Sequence, residues 1–278
     1  MKVSSTIETI TPQMAESWLE KNKDNRPVRD DHVAMLGREM FEGRWELNGE
    51  AIVFDYDGNL LDGQHRLWAA YEKRVSFTSV VVRGVAPEAF STIDSGMKRS
   101  AGDVLGKAGL AYGTLTAAAL RLVNFYDTGA SNHRLLQRCS NAETLELAKK
   151  HPGIERAASL VGARHTVKQI VPGSAMAAFV YFALQADEEK TLLFIESMVT
   201  GADLHRGDPR LACRNLFINF RQNRTRVMAR AQFALLIKAW NAYVTGKEMS
   251  VLKFLDSEEF PRFAHHQMPK KISARRVA

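Results

Sequence analysis

Apolar positions along the chain change their rhythm near residue 100. In the first hundred residues short helical and strand-like patterns alternate. Thr11 stands where a helix cap would accept backbone amides and Pro12 at the first helical position, ahead of an apolar stripe of Met14, Trp18 and Leu19. A second helix is predicted from Asp30 or Asp31 to Gly43, presenting Val33, Leu36, Met40 and Phe41. Residues 51–54 read as a short strand, Asp57, Gly58 and Asn59 as a tight turn, and Leu60 and Leu61 as the returning edge. Asp62 is then expected to cap a helix that runs to about Lys73. Residues 77–82 form a β-branched run suited to a buried strand, and Pro87 opens a brief helical turn leading to Asp94. Strands alternating with helices predict a small α/β (α+β) module.

Beyond Ser100 the strand signal fades. Helices are predicted over 114–126, 141–150, 152–161, 174–186, 187–200, 208–222 and 225–245, preceded by one that Ser100 caps with Asp103 in a box-like place. Residues 175–184 are apolar on every side, which suits a central helix. Phe233, Ile237, Trp240 and Val244 recur at helical spacing, which suits a core-facing stripe. The expected organisation is an α/β module over 1–105, an all-α domain over 106–264, and a mobile basic tail over 265–278.

Composition narrows the classes. With 45% hydrophobic and 25% charged residues, 278 residues can build one or two cores. The longest apolar run is too short to cross a bilayer and the N-terminus lacks the apolar core of a signal peptide, so a cytoplasmic protein without a membrane partner is expected. The two cysteines, Cys139 and Cys213, have no metal-type spacing, and no metal site built from side chains is expected. Charge is uneven. Residues 1–105 carry 13 Lys and Arg against 17 Asp and Glu, while residues 106–278 carry 25 against 14. A basic C-terminal half points to a polyanion partner, nucleic acid first. Arg210, Arg214 and Arg221 recur at helical spacing, and Arg226 and Arg230 pair on the next helix, so these five are the candidate DNA-binding residues.

The chemistry concentrates between the second predicted strand edge and the third helix. Gly63 allows a ligand to approach the backbone, helix-terminal amides favour an anion, Arg66 can give a phosphate two parallel hydrogen bonds, and His65 can donate one or move a proton. The run Asp62, Gly63, Gln64, His65, Arg66 resembles the Asp-Gly-Gln-His-Arg signature of the ParB/sulfiredoxin superfamily. Asn25, Arg26 and Pro27, then Gly43 and Trp45, then Ile93, Asp94, Ser95 and Gly96 with Arg99 are similar to a phage and bacterial branch of that superfamily. The resemblance covers roughly the first 105 residues.

That resemblance implies a nucleoside triphosphate, ATP or CTP with Mg2+, held by Arg26, Arg29, Asp62, Gly63, Gln64, His65, Arg66, Asp94, Gly96, Arg99 and Ser100. It also carries a departure, because Gln64 stands where sulfiredoxins keep the catalytic cysteine, which excludes that thiol chemistry. The first expectation is a nucleotide-regulated protein that associates with DNA, compatible with a homo-oligomer. The rival is an enzyme of the same superfamily, a kinase, NTPase or nuclease, with Asp62 and His65 as catalytic candidates. A third reading is a module that binds a protein partner and no nucleotide.

Overall fold

The computed structural model describes residues 2–23, 25–93, 99–129, 139–255 and 257–264, with the backbone alone at 90–92. The fold is of mixed α/β class, with a four-stranded sheet and twelve helices among the described residues. By contact density the chain divides into two compact units, Met1–Lys98 with Arg138–Ala142, and Arg99–Gln137 with Glu143–Ala278.

In the first unit the sheet runs β1 (Ser4–Ile10), β4 (Phe77–Val85), β2 (Ala51–Asp55), β3 (Leu60–Asp62) in space. β1 and β4 are antiparallel, β4 and β2 parallel, β2 and β3 antiparallel. The parallel pair needs a crossover, and α3 (Gln64–Lys73) supplies it. α1 (Pro12–Leu19) and α2 (Asp30–Phe41) both pack on α3. The core beneath holds Ile10, Ile52, Phe54, Leu67, Phe77 and Val81, all nearly fully buried.

Local chemistry explains several element ends. Thr11 Oγ1 accepts from Met14 N at 3.2 Å, so the predicted Thr-Pro start of α1 is the observed one. Asp55 closes the turn after β2, accepting from the amides of Asp57 (2.9 Å) and Asn59 (2.7 Å) and from Asn59 Nδ2. β1 was not expected from the sequence. Its residues are exposed apart from Ile10 and the half-buried Glu8, and apolar Ile7 faces out where charged Glu8 faces in, so the sequence lacks the apolar-polar alternation that marks a half-buried strand. Phe41, placed on the apolar stripe of the second helix, is 70% exposed.

In the second unit α4 (Ala101–Lys107) starts with a complete capping box. Ser100 Oγ accepts from Asp103 N, and the Asp103 carboxylate accepts from Ser100 N at 2.8 Å. α5 (Gly113–Asp127), α6 (Asn141–Lys150), α7 (Ile154–Gly162) and α8 (His165–Ile170) follow, then α9 (Gly173–Ala186), α10 (Glu188–Thr200), α11 (Pro209–Gln222) and α12 (Ala229–Val244). α9 is the predicted central helix. Its small residues Ala175, Ala177, Ala178 and Ala183, all fully buried, let α5 and α7 approach closely, and Phe179 and Phe182 fill the space toward α12. Trp240 of α12 is fully buried, as its stripe predicted, in edge contact with Phe179 and Phe194. α8 escaped the sequence reading, and α12 starts at Ala229 rather than near Thr225.

Residues 260–264 belong to this core. Phe263 is 2% exposed, its amide donates to Tyr126 Oη at 2.9 Å, and Asn241 clasps the segment through Arg262 O and Ala264 N. The expected basic tail 265–278 lies outside the described residues.

Candidate functional site

The β3–α3 turn is set by Gly63, which has φ of +107°. A Cβ there would lie 2.4 Å from Ile52 Cδ1 and 3.4 Å from Ile52 Cα, so both backbone angle and space require glycine. Gly63 is also the helix N-cap, with no capping side chain, which corrects the expectation for Asp62. The Asp62 carboxylate is drawn to Arg66 instead, one helical turn on, and Oδ2 accepts from Nη2 at 3.0 Å. The same Nη2 donates to Ala51 O on β2 at 2.8 Å, so Arg66 ties α3 to the sheet.

The Arg66 side chain is only 8% exposed, and its Nη1 is buried with no hydrogen-bond partner. A buried charged donor without a protein acceptor is costly unless a ligand, an ion or water supplies one. Arg66 lines an open cleft of about 220 Å3, together with Gly63, His65, Trp45, Glu50 and Arg26. Arg26 and Arg66 are matched there by Glu50 and Asp62, so the cleft's formal charges balance.

Gln64 and His65 hold the approach to the cleft. Gln64 Nε2 donates to Arg26 O at 2.8 Å and its Oε1 accepts from Asn22 Nδ2 at 3.1 Å. Asn25 Nδ2 donates to Leu60 O at 2.7 Å. His65, buried, accepts from the Arg29 amide at Nε2 over 3.1 Å, and its ring meets His32 edge-on at 5.1 Å. These contacts peg the segment before α2 onto α3. They also show Asp62 and His65, the two catalytic candidates, already engaged at Oδ2 and Nε2 respectively. The Arg29 side chain is exposed and does not line the cleft, whereas Arg26 does.

Of the downstream residues, Asp94 and Gly96 lie outside the described residues. Arg99 and Ser100 are exposed in the second unit, where Ser100 serves as a helix cap and its bonds hold the Asp103 carboxyl below the usual range. Residues that line the cleft but were not proposed as site residues from sequence are His32, Leu36, Trp45, Asn48 and Glu50. Asn48 carried the one local signal, since its Oδ1 accepts from Glu50 N at 3.0 Å in a short turn before β2.

The expected arginine stripe does not present one solvent face. Arg210 forks onto Asp208, reaches Ser197 Oγ at 3.1 Å and stacks 4.6 Å over Tyr243. Burial raises the Asp208 carboxyl while Arg210 and its amide pull it below the usual range. Arg214 packs against Gly201 at the C-terminus of α10, where a cation meets the negative helix end. Arg230 lies between the rings of Phe125, Phe254 and Phe260, 5.2 to 5.6 Å from their centres. Arg221, exposed, donates to Gln169 O, and Arg226 is exposed as well. Three of the five candidates are thus spent inside the fold, for a physical reason the helical spacing hides: guanidinium stems pack well on rings and helix ends.

Among the described residues no three His, Cys, Asp or Glu side chains converge as a metal site, and no helix is long and apolar enough to cross a membrane. Comparison with protein-family models, curated proteins and solved structures found no match.

Proposed function

We propose that the first unit is a ParB/sulfiredoxin-like module whose cleft takes the phosphates of a nucleoside triphosphate, ATP or CTP with Mg2+. The observation that carries this reading is Arg66, a buried guanidinium whose Nη1 lacks an acceptor while its other arm is fixed by Asp62 and Ala51, at the edge of a cleft. The side-chain-free turn at Gly63 and the adjacent Arg26 support it. The cleft is smaller than the roughly 300–1,000 Å3 of pockets that enclose a small molecule, so it suits phosphates and leaves base and ribose at the rim. Its balanced charge favours a cation-complexed triphosphate over a bare one.

Thermal shift and calorimetry of the full chain with ATP, CTP and inorganic tripolyphosphate, each with and without Mg2+, test the reading. Ligand at a hundred times its Kd should stabilise by about 2.7 kcal/mol. Arg66→Lys, which keeps a donor for Asp62 and removes the fork, should weaken binding by about 1.5–3 kcal/mol. The absence of any shift at millimolar concentration for all three ligands sinks the proposal.

A DNA partner is the second half of the reading, and it rests on the two predicted arginines that stay exposed, Arg221 and Arg226, joined by Arg224 between them. Arg221, Arg224 and Arg226 are exposed at the end of α11 and just after it, and Arg221 reaches α8, on which Lys168 is exposed. Replacing the three arginines by Ala should flatten the slope of log affinity against log salt by nearly 3, at about 0.9 per phosphate contact. Binding that is absent at low salt refutes it.

A further inference from the structure

We propose that the free edge of β1 pairs antiparallel with β1 of a second copy of this chain, about a two-fold axis at Ile7. Among the described residues β1 is the terminal strand of the sheet, bonded to β4 on one side only. Seven residues long, it carries no Lys or Pro and no bulge against β4, the usual guards of a free edge. Its one charge, Glu8, does not project freely, because Arg83 of β4 grips the carboxylate at 2.5 and 3.1 Å and Thr6 Oγ1 donates to it at 2.5 Å. Ile7 at the middle is 65% exposed, an apolar side chain without cover.

The strand's own sequence selects its occupant. Ile7 is the midpoint of Ser4–Ile10, so a two-fold there overlaps the whole strand with itself. Ile7 then faces Ile7 of the second copy, Thr6 faces Glu8, and Ser5 faces Thr9. Apolar meets apolar, and each carboxylate, already held by its own Arg83 and Thr6, meets a neutral side chain rather than a second charge. Moving the axis to Glu8 sets two carboxylates opposite each other, which opposes pairing, and moving it to Thr6 sets Ile7 against Ser5. Main-chain hydrogen bonds supply the affinity, as in other strand additions. One strand pair buries less than the roughly 1,200 Å2 of stable complexes, so the dimer is a weak, concentration-dependent one.

Residues directly opposite in an antiparallel pair have Cα atoms about 4.5–5.5 Å apart, within the span of a disulfide. The test uses the full chain with Cys139→Ser, leaving only the fully buried Cys213. Ile7→Cys should oxidise to a linked dimer at least tenfold faster than Thr9→Cys, which lies on the same face but away from the axis. Ser5→Cys mixed with Thr9→Cys should form a linked heterodimer. Sedimentation of the unmodified chain should show a dimer fraction that rises with concentration, and Ile7→Lys should raise the dimer Kd at least tenfold. A chain that stays monomeric throughout the micromolar range, with equal oxidation rates at the two positions, overturns the proposal. So does a dimer that Ile7→Lys leaves intact, which would place another partner or another surface in its stead.

Discussion

Replacing Asp62 by Asn separates two roles that the site geometry allows for this carboxylate. In the structure Asp62 Oδ2 sits 3.0 Å from Arg66 Nη2, and the Asp62 side chain is 36% exposed. A phosphate oxygen bonded to Nη1 would lie about 5.5 Å from that carboxylate. At an effective dielectric constant of about 40, between a surface site and bulk water, each phosphate charge is repelled by about 1.5 kcal/mol. The amide of Asn keeps an oxygen for Nη2 and removes the repulsion, so affinity for tripolyphosphate should rise about tenfold or more at low ionic strength. The fold should hardly notice, since a partly exposed ion pair contributes about 1 kcal/mol or less. Calorimetry on Asp62→Asn, with denaturant unfolding as the control, decides. Unchanged affinity means the phosphate is not at Arg66. A tenfold loss means that Asp62 itself touches the ligand or its Mg2+. Arg66→Ala is the poorer probe, because it also strips Ala51 O and Asp62 of their donor.

Other outcomes follow from the packing. Gly63→Ala should cost at least about 2 kcal/mol in denaturant unfolding, from the φ of +107° and the overlap with Ile52, and an unchanged midpoint would refute the stated need for glycine. Phe263→Ala should cost about 3–5 kcal/mol in denaturant unfolding, and an unchanged midpoint would refute the place given to Phe263 in the core. His151 is buried with Nδ1 2.9 Å from Tyr181 Oη and Nε2 3.6 Å from Asp127, and burial lowers its pKa, with Asp127 opposing. The folded state therefore binds this proton more weakly than the unfolded chain. Stability should fall as pH drops below about 6.5, and His151→Gln should flatten that limb of the pH profile.

The sequence made some elements legible because their signals are local. Thr11 with Pro12, Ser100 with Asp103, and the Asp57–Asn59 turn each act over three or four residues, and each stands where expected. α9 was legible for another reason, since a helix apolar on all sides has only the centre of a core to occupy. β1 was not, because it is a strand by virtue of β4, whose register from Ser4 opposite Arg83 to Ile10 opposite Phe77 holds it. Nothing within Ser4–Ile10 itself requires extension. Residues 260–264 carry no local signal of burial, because Tyr126 and Asn241, distant in sequence, draw them into the core.

The same contrast of local against long-range causes explains why the turn at Gly63 was legible and the contacts of its residues were not. Gly63 could be read from the chain because a strand-to-helix turn at that point demands it. The sequence could name Asp62 and Arg66 as neighbours on one helical turn, but not that Ala51 would take one arm of Arg66 and leave the other in the cleft. Arginine is the residue for which this gap is widest. Its five donors can serve a phosphate, a carboxylate, a carbonyl or an aromatic face, and only the tertiary surroundings choose among them. Arg66 has one arm committed and one open. Arg210 has its nitrogens committed to Asp208 and Ser197, and Arg230 lies among three rings. A count of basic residues therefore overstates the charge available to a polyanion, and the available part lies with residues such as Arg224 and Arg226, whose spacing along the chain shows no helical period.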